Sequence, residues 1–68
     1  MMNENQIIQW MRERVNITGF TNATSLAESF LREHGIYDAL DPDFSLSLDA
    51  GFKVAQEIRD QQLTAAAG

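Results

Sequence analysis

The chain has no cysteine, a single histidine, a single proline and no apolar run longer than three residues. Without cysteine there is no disulfide, no thiolate zinc site and no iron–sulfur cluster. One histidine also excludes the common histidine-rich metal sites. The short apolar runs exclude a membrane-spanning helix. Lysine and arginine total only five against ten acids, which argues against direct nucleic-acid binding, because phosphate contact needs clustered cations. The glycines stand apart at Gly19, Gly35, Gly51 and Gly68, so no phosphate-cradling loop exists. The opening "MMNENQIIQW" has no basic region followed by a long apolar run, so no signal peptide is expected. With cysteine absent, a reducing cytoplasm is the expected location. The two glycosylation-type triplets at Asn16 and Asn22 are then accidental.

Length limits the rest. Sixty-eight residues make one domain. A domain this small buries only roughly 60% of the surface its unfolded chain exposes. With no disulfide or metal to staple it, stability must come from well-packed helices or from a partner chain, and self-association stays open.

What the chain does have is helical periodicity. Ile7, Ile8, Met11 and Val15 lie on one stripe, with Trp10 widening it, and Asn3 with Gln6 has capping-box spacing. This predicts a first helix over 3–15, with Glu4 in its first turn and Arg12 and Arg14 in its last, an order that suits the helix dipole. Ala23, Leu26, Ala27, Phe30 and Leu31 trace a second stripe. A helix over 21–34 follows, capped by Thr21 or Asn22, or one turn later by Ser25 with Glu28, and stopped at Gly35. His34 in its last turn has an ordinary electrostatic place there. Leu48, Phe52, Ala55 and Ile58 form a third stripe, predicting a helix over 47–63 with Ser47 or Ser45 as its cap, and a tail over 64–68 that either extends the helix or frays. Gly51 weakens that helix but permits close approach of another backbone.

Between the second and third helices runs "DALDPDFSLSLDAGF", residues 38–52. Its acids and serines at alternate positions from Asp41 resemble a calcium-loop ladder, but Leu46 stands where that loop needs glycine and Phe52 where it needs a bidentate glutamate. Phe44, Leu46 and Leu48 alternate like a strand, yet the only pairing candidate is the short "VNITGF". The favoured reading is an acidic connector. One helical turn spans 36–40, Asp41-Pro42-Asp43 turns the chain, and Phe44 and Leu46 plug the core. The fold expected is all-α: a small three-helix bundle with a short extra helical turn near 36–40, packed around Ile7, Met11, Leu26, Phe30, Leu31, Leu48, Phe52 and Ile58.

The net charge of −5 is local. Glu33, Asp38, Asp41, Asp43 and Asp49 fall between Arg32 and Lys53 with no cation among them, while the rest of the chain balances. Catalysis is not expected. The acids lie in a solvated connector, and one histidine at a helix end makes no nucleophile–base pair. A helix-turn-helix is disfavoured because the segment after Gly35 is acidic where a recognition helix must be basic. No metal, cofactor or membrane contact is expected. The remaining function is protein–protein interaction by an adaptor or assembly factor, with a basic protein or the chain itself as partner. The candidate contact residues are Tyr37, Asp38, Asp41, Asp43, Asp49 and Trp10, aromatic anchors beside a charged rim. The alternative is an inhibitor of the phage or mobile-element kind that blocks a basic site by acidic mimicry.

Overall fold

The computed structural model describes residues 3–67, with side chains through Leu63. Over that span the chain is three packed helices and no strand: α1 (Glu4–Thr18), α2 (Ala23–Glu33) and α3 (Pro42–Ala67). The small all-α bundle expected from periodicity is the fold observed. Its extents of 42 × 19 × 17 Å reflect α3, whose 26 residues span about 39 Å at 1.5 Å each.

Each boundary has a local chemical cause. At the start of α1, Asn3 Oδ1 accepts the Gln6 amide at 2.9 Å and Gln6 Oε1 accepts the Asn3 amide at 3.0 Å, a complete capping box. The helix does not stop at 15 but runs three residues further. Thr18 donates its hydroxyl to the Arg14 carbonyl at 3.0 Å, and the stop is Gly19 at φ +84°, with its amide on the Val15 carbonyl. Arg12 and Arg14 are therefore mid-helix and serve as interhelical cations, not dipole partners. Asn22 caps α2 by accepting the Ser25 amide at 2.8 Å. The alternative cap at Ser25 is not used; its carbonyl accepts the Ser29 hydroxyl within the helix. α2 closes in a Schellman motif, with Ile36 N–H on the Leu31 carbonyl at 2.9 Å and Gly35 N–H on that of Arg32 at 3.3 Å. Gly35 takes φ +67° to make it.

The stretch 38–52 differs from expectation in two ways. There is no helical turn over 36–40. Asp38 Oδ1 instead accepts the Leu40 amide at 2.9 Å, and Asp41 N–H bonds the Asp38 carbonyl at 3.0 Å, giving a β-turn. A short acidic side chain taking a nearby amide competes directly with helix. Then α3 starts at Pro42, not Ser47. Asp41 accepts the Asp43 amide at 2.9 Å, and proline needs no amide partner at the first helical position. Ser47 is thus no cap. It is fully buried inside α3 and donates to the Asp43 carbonyl at 2.6 Å. Of the two outcomes for the tail, extension is the one observed: α3 continues through Ala67, and Gly68 lies outside the described residues.

The core is Ile7, Met11, Leu26, Ala27, Phe30, Leu31, Ala50 and Val54. Ile58, Phe44 and Leu46 pack against it half-buried. Leu48 and Phe52 do not belong to it: they are 36% and 65% exposed. α3 is rotated from the expected face so that Ser47, Ala50, Gly51 and Val54 point inward. The reason is close approach. A Cβ on Gly51 would sit 2.9 Å from the Ala23 carbonyl oxygen and 3.5 Å from the Ala27 Cβ, so α2 and α3 meet through small residues that leave no room for Leu48 or Phe52.

Candidate interaction surface

Among the described residues, three ion pairs tie α1 to the other helices: Arg12 with Glu57, Arg14 with Glu33 and Lys53 with Glu4. Arg12 donates to Glu57 through Nε at 3.1 Å and through its terminal nitrogen at 2.5 Å. That hydrogen bond holds the Glu57 carboxyl below the usual glutamate range and raises Arg12 above its own. The bond to Glu4 likewise raises Lys53, helped by the nearby charge of Asp49.

These pairs divide the acidic segment. Glu33 is engaged by Arg14, and Asp49, exposed on α3, lies within electrostatic reach of Lys53. Asp38, Asp41 and Asp43 remain together at the α2–α3 junction, where no ion pair neutralises them among the described residues. Asp38 and Asp41 also hold the backbone in place through the turn and cap bonds given above. One oxygen of Asp43 is buried with no hydrogen-bond partner. No three His, Cys, Asp or Glu side chains among the described residues are grouped as metal ligands.

The same junction carries two of the most exposed apolar side chains. Tyr37 is 80% exposed and Leu40 is 89% exposed, one on each side of Asp38. Tyr37 also borders a groove of about 290 Å³ lined by Leu31, Ile36 and Phe44 and rimmed by Glu28 and Arg32. Tyr37, Asp38, Asp41 and Asp43 are thus brought together. Asp49 sits further along α3. Trp10 belongs elsewhere: half-buried, it meets Phe30 and His34 edge-on at 5.3 and 5.6 Å, and the Arg14 guanidinium lies 4.8 Å from its ring centre. It lines a separate depression with Glu13, Ile17 and Glu33. His34 stacks on Phe30 at 4.1 Å, and its Nδ1 lies 2.9 Å from the Phe30 carbonyl oxygen.

The sequence reading missed Leu40, Leu48 and Phe52 as exposed side chains. For Leu40 a signal existed: an aspartate two residues before it and Asp-Pro directly after it mark a turn, which throws the side chain outward.

No protein family, curated protein or solved structure matches the chain. No helix among the described residues is long and apolar enough to cross a membrane.

Proposed function

We propose that the chain is a small acidic helical module that binds a basic protein surface through its α2–α3 junction. The observation that carries this reading is Tyr37 and Leu40, almost wholly exposed, flanking Asp38 in a connector with no cation of its own. A monomer gains nothing by leaving an aromatic and a leucine in water at a turn. In an interface they supply apolar anchors, and the three aspartates supply steering and register. Nothing at the junction pairs a nucleophile with a base, so the chemistry that remains is recognition.

The test separates anchor from charge. Immobilised protein is compared with Asp38→Asn/Asp41→Asn and with Tyr37→Ala/Leu40→Ser for capture of partners at rising salt. Asparagine keeps the side-chain oxygen that accepts the Leu40 and Asp43 amides, so the first variant loses charge while keeping the turn. The expected partner is basic, released steeply by salt, and weakened by both variants. A partner retained equally by all three proteins would reject this surface.

A further inference from the structure

α3 has a second face that the bundle does not use. Counting from Leu48, Phe52, Ala55, Arg59 and Leu63 fall within about 80° of one another around the helix at 100° per residue. Three of the large apolar side chains left exposed, Leu48, Phe52 and Leu63, share this one flank. It adjoins a groove of about 330 Å³ in which Phe52, Ala55 and Ile58 of α3 face Phe20 and Ala23. The spacing of four, three, four and four residues is that of a helix seam. The opposite flank is already occupied, with Lys53 on Glu4 and Glu57 on Arg12.

We infer that this flank is the contact between two copies of the chain, with their α3 helices packed antiparallel. The charge order points to a second copy. Asp49 precedes Phe52 and Arg59 follows it, and both are exposed. In an antiparallel pair with its two-fold axis between Ala55 and Gln56, Leu48 meets the partner's Leu63 and Phe52 meets the partner's Arg59. That guanidinium then lies about one helical turn from Asp49, within reach of its long side chain. A two-fold contact must be self-complementary, and this stripe is: apolar ends meet apolar ends, and each acid lies near a base. A parallel pair would stack Arg59 on Arg59.

Area sets the strength. From Leu48 to Leu63 the stripe is about 22 Å long. One helix face is roughly 10 Å wide and the Phe20 side of the groove adds to it, so two copies bury well under the roughly 1,200 Å² at which stable specific interfaces begin. The dimer is accordingly weak and reversible, with a dissociation constant on the order of micromolar or above. This face lies apart from Tyr37 and Asp38, and its failure would leave the proposed function untouched.

Sedimentation of the full chain from about 10 µM to about 1 mM reads the association directly. The expected result is a monomer passing to a dimer and no further. Phe52→Glu is expected to hold the chain monomeric throughout with an unchanged helical circular dichroism spectrum. Leu63→Glu, further along α3, is the second variant should the first disturb the fold. Asp49→Arg and Arg59→Asp singly weaken association by about tenfold through like-charge contact, and the two together restore it. A single-chain mass over the whole range, a dimer indifferent to both glutamates, an assembly larger than two, or a double swap that fails to recover would each overturn the inference.

Discussion

Gly51 stands so close to Ala23 that a Cβ placed on it would lie 2.9 Å from the Ala23 carbonyl oxygen. In an ordinary helix interior, glycine to alanine stabilises by about 1 kcal/mol. Here the atom in the way is backbone at the first turn of α2, which cannot swing aside as a side-chain tip could. Overpacking of this kind costs roughly 1–3 kcal/mol, so Gly51→Ala is expected to destabilise despite its better helix propensity. Urea denaturation followed by circular dichroism measures it, and a raised midpoint would show that the helices are not in close contact there.

Phe30 and Phe52 test the core in opposite directions. Phe30 is fully buried, stacked on His34 and met edge-on by Trp10. Phe30→Ala should cost about 3–5 kcal/mol, enough to leave much of so small a domain unfolded and Trp10 fluorescence shifted toward that of water-exposed indole. Phe52→Ser at a concentration where the chain is monomeric should change stability by less than about 0.5 kcal/mol, as for a surface site. Equal losses at the two positions would mean that α3 packs through its large apolar side chains after all.

That contrast also shows where sequence reading succeeds. The stripes of the first two helices found Ile7, Met11, Leu26, Phe30 and Leu31, because large apolar residues at helical spacing there do face the core. In α3 the same logic chose Leu48 and Phe52 and was one residue off. Helix packing at short range favours small side chains, so the buried face is written mainly in Ser47, Ala50 and Gly51, small residues with little hydropathy signal, joined by Val54. The bundle was therefore legible and the rotation of its longest helix was not. At the junction, Tyr37, Asp38, Asp41 and Asp43 were legible as a group because proline and aspartate mark a turn, although only Tyr37 and Asp38 are exposed and Asp41 and Asp43 are half-buried. Trp10 was not legible as a separate feature, since its neighbours Phe30 and His34 come from another helix.

The start of α3 gives a prediction about aspartate as architecture. Asp41 accepts the Asp43 amide and precedes Pro42, the first residue of the helix. Asp41→Ala should cost about 1 kcal/mol, the usual value of a lost cap. Asp41→Asn keeps the acceptor oxygen and should cost only a few tenths. Thermal unfolding of the two variants compares them. Equal losses would assign the stabilisation to charge instead of to the capping bond. The distinction matters for the proposed function, because only a variant with an intact turn tests the charge on a partner.

Arg12 and Glu57 set an acid limit on the contact between α1 and α3. The hydrogen bond from Arg12 holds the folded-state Glu57 carboxyl below the ordinary glutamate value, which is about 4.3 in an unfolded chain. A group whose folded pKa is depressed binds its proton more weakly when folded than when unfolded. Its contribution to stability is complete above the unfolded value and disappears as the pH falls through the folded one. Stability should therefore be flat with respect to this pair at neutral pH and decline below about pH 4. Glu57→Gln removes the titrating group, so its unfolding midpoint should lie below that of the wild type at pH 7 and converge with it in acid. Salt should narrow the difference at pH 7, since both side chains are largely exposed. Chemical denaturation at a series of pH values with and without the substitution measures the convergence. Two curves that stay parallel down to the acid limit would mean that Glu57 titrates no differently in the folded and unfolded chain, and that the pair does not hold α1 to α3.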